Sequence, residues 1–509
     1  MLRIAMQAGG FPLPPIASRS GNPSLSLDIE NHICYIVDMA KQTTTLSDTF
    51  TLKGRWWLPA TPERAVAGTL TFAPDGPTEI ALDGALREIP PGQWKGISAK
   101  AIHGETVDGK LCTALDAFEN NCQFFSPGVA TTKFFFNKLM LGREHIDPEH
   151  TTFESAVVDL TDLGAWLHRD PFKDEHKQND GTSTTSYTMP KLISIRVPSI
   201  EATLSFEAGL NSNMEYQRRT LRHRDTLRIK PRRKQKLDWY LDVLFKFRIL
   251  LSLLVGRPVA VNSIKLCAKP RKIPQLGPKP YREYLDLCLR VSGKTPEKEF
   301  VPPEIPFTFP SVRKELRSIL ATWFQKAEKL STLYGLHFGV QVNDATPGEF
   351  RFLALIQAIE SFHRVAGRDK YVSDAKYKPT KDAIIAAIPA GISSDHRDAL
   401  KSRIRFGNEY SLRKRLTLTM KRLPAKLRDA ITCNNANFVA EVVATRNYLT
   451  HRDESQKQNV LDFKGMFNAS ESLRLVISFI LLTEAGVPAA LVESVMLNHW
   501  TFKNRNRIL

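Results

Sequence analysis

The sequence predicts an α+β protein of more than one domain. A β-rich, sandwich- or barrel-like N-terminal domain is followed by an all-α helical domain. Three observations lead there. Short β-type runs separated by turn residues occupy residues 47–230. Prolines 296, 302, 303, 306 and 310 crowd one stretch, Val291 to Pro310. From about residue 345 the apolar spacing becomes helical and stays so. A chain of 509 residues also exceeds one ordinary core. The expected divisions are a loosely attached or disordered lead at 1–46, a β-rich domain at 47–290, a connector and linking helix at 291–344, and a helical domain at 345–509.

Residues 1–46 are rich in Pro, Gly and Ser and show no period. Met39, just before the first β-type run, is an alternative start to Met1 that the intact mass would settle. Strands are expected at 49–57, 66–72, 78–82, 95–103, 110–117, 131–141 and 153–160, with turns at Asp75-Gly76 and Asp108-Gly109. Trp56, Trp57 and Trp94 can serve as core packing, their commoner use, or as a ligand platform. His145 and His150 lie among Glu144, Asp147 and Glu149. His168, Asp170, Asp174, Glu175 and His176 form a second polar cluster before the polar stretch 178–186. Neither has a metal-ligand spacing, and both read as solvated loops.

Gln217 to Lys236 is the most basic run, ten Lys or Arg against Asp225 alone. It reads equally as a phosphate contact or as a solvated strand pair. A buried helix is expected over 237–255 and a returning strand over 258–268. The Pro-rich stretch suits an extended connector. Residues 311–334 carry Leu316, Ile319, Leu320, Trp323, Phe324, Ala327 and Leu330 on one broad helical face. Further helices are expected at 348–366, 378–388, 394–406, 409–421, 424–432, 436–451, 463–484 and 487–497.

Composition narrows the function classes. Formal net charge is +18 and the pI about 9.6, which suits a polyanionic partner, nucleic acid first and a membrane surface second. Residues 345–509 hold 26 Lys or Arg and 16 Asp or Glu, a net +10. The excess concentrates between Arg397 and Arg428, with Arg403, Arg405, Arg413, Lys414 and Arg415 as candidate RNA-binding residues. The six cysteines are scattered without a Cys-x2-Cys pair, so the chain reads as cytoplasmic with reduced thiols. Leu237–Val255 is interrupted by Asp242, Lys246 and Arg248, and 475–483 is too short to cross a bilayer, so no membrane span is expected. No cofactor or metal motif stands out, and no Walker A, His-Glu-x2-His, Gly-x-Ser-x-Gly or helix-turn-helix pattern competes.

One short stretch carries chemistry: Glu441-Val-Val-Ala-Thr-Arg446-Asn447-Tyr448-Leu449-Thr450-His451. On a continuous helix Asn447 and His451 lie one turn apart on one face. Arg446 and His451, five apart, converge only if the helix end frays or the arginine reaches around. A guanidinium beside an imidazole can bind a phosphate and move a proton. RNA cleavage needs both, because the 2′-hydroxyl loses a proton while charge builds on the phosphoryl oxygens. Spacing alone is weak, since Arg-x4-His arises by chance in most chains of this length.

Context strengthens it. Arg446-Asn447-x3-His451 resembles the Arg-polar-x3–5-His motif of HEPN ribonucleases, and more specifically the ApeA-like HEPN family of bacterial anti-phage proteins. Leu355-Ile-Gln-Ala-Ile-Glu360-Ser-Phe-His363-Arg364 resembles that family's first HEPN helix. Asn408-Glu-Tyr-Ser-Leu412-Arg-Lys-Arg-Leu416 resembles its middle helix. Gly54-Arg-Trp56-Trp57-Leu58-Pro59, Gly68-Thr-Leu70-Thr-Phe72 and Leu82-Asp-Gly84 resemble its N-terminal domain. The resemblance covers roughly residues 47 to 485.

The resemblance implies a metal-independent endoribonuclease of abortive infection, with transfer RNA as the substrate class. It implies catalytic Arg446, Asn447 and His451, a homodimer with a composite site, and an N-terminal domain acting as sensor or restraint toward a phage-derived trigger. Glu360 and His363 are expected either beside this site or in helix packing. The alternative is a non-catalytic HEPN module that binds RNA or nucleotide alongside a partner protein.

Overall fold

The computed structural model describes residues 45–503 except 75, 90–93, 124–127, 178–180, 269–282, 291–297, 299, 343–345, 366, 368 and 453. The lead before residue 45, Met39 and most of 291–299 therefore lie outside the described residues. The chain forms two compact units. One comprises residues up to 248 with 259–311, the other 249–258 with 312 onward.

The first unit opens with β1 (Phe50–Trp57), β2 (Val66–Phe72), β3 (Glu79–Leu82), β4 (Ser98–Thr106), β5 (Leu111–Gln123) and β6 (Thr131–Phe135). Their order β5-β4-β1-β2-β3-β6 returns on itself through a β5–β6 pairing, closing a six-stranded antiparallel barrel. Alternation drives this, because Trp56, Leu70, Phe72, Ile80, Leu82, Ile102 and Phe134 all turn inward and are buried. Trp56 pairs with Gly104 across β1–β4, and a Cβ on Gly104 would fall 2.2 Å from the indole ring. Glycine therefore makes room for the largest core side chain. Trp56 also donates its indole N–H to the Gly68 carbonyl at 3.2 Å, so it is packing and not a platform.

β5 serves two sheets. Leu111–Leu115 pairs with β7 (Lys138–Gly142), while Phe118–Gln123 pairs with β6. Between them Asp116 takes a left-handed φ of 54°, and the register slips between Glu119 and Asn121. Expected as one strand over 131–141, β6 and β7 are two, because they pair with different halves of β5.

The open part continues through β8 (Ser155–Leu160), a two-stranded ribbon of β9 (Phe172–Lys177) and β10 (Thr182–Tyr187), then β11 (Ile193–Val197), β12 (Ala202–Glu215), β13 (Arg218–Pro231), β14 (Val261–Cys267) and β15 (Tyr284–Leu289). Its order is β11-β12-β13-β8-β14-β15-β7. Asp174, Glu175 and His176, expected in a solvated loop, lie instead on β9 of this ribbon, and β15 was not expected. Two helices lie among these strands, α1 (Leu163–Leu167) and α2 (Leu237–Val255). The start of α2 packs on the sheet through Tyr240 against Phe153 and Phe247 against Phe206. The described part of the Pro-rich stretch is not a free connector. Phe307 is buried and accepts the Trp166 indole N–H at 2.9 Å through its carbonyl, and the Phe300 amide donates to Asp162.

The second unit is helical. The single helix expected over 311–334 is three: α3 (Phe309–Val312), which bridges the boundary at 311, α4 (Leu316–Lys326) and α5 (Ser331–Val342). There follow α6 (Gly348–Val365), α7 (Asp374–Ala386), α8 (Ser394–Arg405), α9 (Leu412–Met420), α10 (Ala425–Ile431), α11 (Phe438–His451), α12 (Phe463–Glu484), α13 (Ala489–Asn498) and α14 (Trp500–Lys503). α7 begins earlier than expected and takes Pro379 into its second turn. α12 is the central helix. Leu473, Val476, Ile477, Ile480 and Leu481 are fully buried, each contributing about 1.5–3 kcal/mol. By length and composition α12 could cross a membrane, but 61% of its most apolar window is buried within the protein, as in a core helix.

Candidate active site

α11 presents the Arg446–His451 stretch. Phe438, Val442, Val443, Ala444 and Thr445 form its buried side. Thr445 pins the returning chain, its hydroxyl accepting the Leu461 amide at 2.9 Å. The helix runs unfrayed to His451 and stops where Arg452 turns left-handed, with a φ of 52°. The apolar spacing from 436 onward had indicated this length.

An unfrayed end sets the geometry. Asn447 and His451 lie about 40° apart around the axis and one turn apart along it. Arg446 and His451 lie about 140° apart around the axis, so within one chain only the reach of the arginine side chain can bring them together. Arg446 is half-buried, its Nη1 donating to Asn447 Oδ1 at 3.3 Å and its Nη2 lying 4.0 Å from Glu360 Oε2 on α6. His451 is exposed and makes no hydrogen bond among the described residues. The result is a cation anchored from behind and an imidazole free in front. Such an arrangement can hold an anion at Arg446 and exchange a proton at His451.

The two residues of the first HEPN-like stretch divide. Glu360 faces Arg446. His363 is buried against α9, its Nε2 2.8 Å from the Thr419 hydroxyl. Burial, then the Arg415 charge, holds the His363 imidazole below its usual range. Its side chain is bonded into the packing of α6 on α9.

The basic track is thinner than the sequence indicated. Arg403, Arg405, Arg413 and Lys414 are exposed at the end of α8 and the start of α9. Arg415 is not: it is buried, with Nη2 3.2 Å from Glu409 Oε2. Its position, two residues after Arg413 on a helix, turns it to the opposite face. Arg422 is likewise committed, bonded to Glu484 at 2.5 Å and lying over the Phe362 ring. Asn408 clamps Val372 through both its amide atoms, so the middle helix starts at Leu412, not 409.

Two polar constellations escaped the linear reading. His145, expected in a solvated loop, is half-buried with its ring stacked on His103 at 4.4 Å and edge-on to Trp57. Burial, then the neighbouring His145, holds His103 below its usual range. Elsewhere Tyr187, His223, Asp225 and Arg169 form a chain of contacts of 3.0, 3.0 and 3.1 Å. Burial, then Asp225, pushes the Tyr187 hydroxyl up to about 12. The one available signal was His223-x-Asp225, since alternate residues of a strand share a face.

Among the described residues no group of three or more His, Cys, Asp or Glu is arranged to hold a metal ion. The chain matches the family model for ApeA N-terminal domain 1 over residues 51–323 and the one for the Apea-like HEPN domain over residues 353–491. No curated protein and no solved structure was found to match it.

Proposed function

Since the chain belongs to the ApeA family and carries an Apea-like HEPN domain, a domain type that typically acts as a ribonuclease in defence, we propose that it is a metal-independent endoribonuclease of anti-phage abortive infection, acting in the cytoplasm on RNA, with transfer RNA the first candidate substrate. The observation that carries the reading is the end of α11, where exposed His451 shares a face with Asn447 and Arg446 is held from behind by Glu360.

In this reading His451 takes the proton from the 2′-hydroxyl or gives one to the leaving 5′-oxygen. The Arg446 guanidinium holds the scissile phosphate and offsets the charge that builds on it. Asn447 orients the phosphate or the imidazole. The 2′-oxygen forms its bond to phosphorus as the 5′-oxygen leaves, giving a 2′,3′-cyclic phosphate and a 5′-hydroxyl.

The 140° separation of Arg446 and His451 favours a composite site. Two copies of the chain, related by a two-fold axis, would bring the His451 of one toward the Arg446 of the other and supply both an acid and a base. The N-terminal unit would restrain the nuclease until a phage-derived trigger arrives. The test is RNA incubated with purified protein in EDTA. Fragments with cyclic-phosphate ends support the reading. Intact RNA that stays tightly bound sinks it and leaves a binding module working with a partner protein.

A further inference from the structure

The basic run from Gln217 is divided by the fold into committed and free arginines. Arg228 bonds Glu207 at 2.5 Å, and Arg224 is paired with Asp159. Arg218, Arg219 and Arg222 are exposed and have no ion pair among the described residues. They lie on the outer half of the β12–β13 hairpin, where neither strand has a third partner among the described residues. β11 reaches β12 only as far as Phe206, and β8 reaches β13 only at 227–229. From Gly209↔Arg224 to Glu215↔Arg218 the two strands pair, among the described residues, with each other alone. That free ribbon is about 20 Å long. At its tip Tyr216 is 99% exposed.

A ribbon tip with three exposed guanidinium groups and an aromatic ring at its end has the chemistry of a single-strand nucleic-acid contact. Guanidinium groups take phosphates, and an exposed aromatic ring stacks on an unpaired base. Arg218 and Arg222 share one face and Arg219 takes the other, so a strand crossing the tip meets cations on both sides. We propose that the β12–β13 ribbon is a second RNA-binding element that grips unpaired nucleotides through Arg218, Arg219, Arg222 and Tyr216. The choice of RNA among polyanions rests on the ribonuclease reading above, whereas the ribbon's chemistry does not. Charges on an exposed ribbon also stop it pairing with another chain, but lysine or glutamate would serve for that.

The test uses the full chain carrying His451→Ala, so that RNA stays whole, and a labelled unstructured RNA oligonucleotide. Affinity is measured from 50 to 200 mM salt. Three phosphate contacts on a single strand steepen the salt slope by about 2, a difference of roughly 15- to 20-fold in affinity across that range. Arg218→Gln/Arg219→Gln/Arg222→Gln should lose that slope, and the triple lysine variant should keep most of it. Tyr216→Ala should weaken single-stranded RNA by about 5- to 150-fold and a duplex far less. Unchanged melting temperatures show that each variant is folded. Unaltered affinity and slope in the glutamine variant would overturn the proposal. So would ribbon-dependent binding to anionic vesicles but not to RNA. If the chain with His451 intact never cuts RNA while the ribbon variants still lose binding, the nuclease reading falls and this one stands.

Discussion

His451 ends its helix exposed and unbonded among the described residues, whereas Arg446 is gripped by Glu360 and Asn447. Removing the imidazole should therefore cost chemistry and not the fold. His451→Ala is expected to lower RNA cleavage by about 10²- to 10⁴-fold with an unchanged melting temperature. Arg446→Lys keeps the charge opposite Glu360 but loses the planar fork, and it too should fail to cut. Full activity in the His451→Ala protein would remove the residue from the reaction. The motif was legible because its spacing sits in one helix. Glu360, 86 residues earlier, needed the packing of α6 to bring it within reach of Arg446.

Adjacent basic residues on one helix have opposite fates. Arg413 and Lys414 face solvent on α9, while Arg415 is buried against Glu409. Arg413→Gln/Lys414→Gln should leave stability unchanged and flatten the salt dependence of RNA binding by about 1.5. Arg415→Gln should instead destabilise by about 1.5–3 kcal/mol, because it removes a buried guanidinium bonded to Glu409 and leaves that carboxylate, among the described residues, only Arg364 at 3.7 Å. Denaturant melts alongside binding separate the two effects. A second helix contact predicts pH dependence. His337 on α5 is buried with its Nε2 3.4 Å from the Ser478 hydroxyl on α12, and burial pushes its imidazole down to about 3. The unfolded imidazole titrates near 6.5, so between pH 6.5 and about 3 the unfolded chain binds the extra proton. Stability should fall as pH drops through that window, by up to about 1.4 kcal/mol per pH unit from this group. His337→Gln should flatten the loss when urea midpoints are compared at pH 7 and pH 5.

At the scale of the whole molecule the units do not follow the chain simply. Residues 249–258 cluster with the helical unit although they lie within the β-rich half of the sequence. Leu250, Leu251, Leu253, Leu254 and Val255 are all buried there. A fragment beginning at Val312 lacks this segment and should melt earlier and less cooperatively than the helical part of the full chain. Supplying a peptide spanning 249–258 should restore part of that stability. If the bare fragment melts as sharply without it, the segment is dispensable. A fragment beginning at Val340 should be worse, since it cuts through α5 and discards His337 and Phe338.

The local and periodic features were set by the sequence alone. The β-to-α order, α2 at Leu237–Val255, α12 at Phe463–Glu484 and the helix under Arg446 and His451 follow from side-chain periods that persist over several turns. Those features depend on neighbours in the chain, which is what a linear pattern records. Closure of the barrel, the division of β5 between two sheets, the stacking of His145 on His103 and the burial of Arg415 depend on residues tens of positions apart. So does the contrast within the most basic run, where Arg224 and Arg228 found carboxylates while Arg218, Arg219 and Arg222 stay exposed with no ion pair among the described residues. A charge is the same letter whether it is paired or free. Only folding brings the partner, because pairing is decided by distance in space.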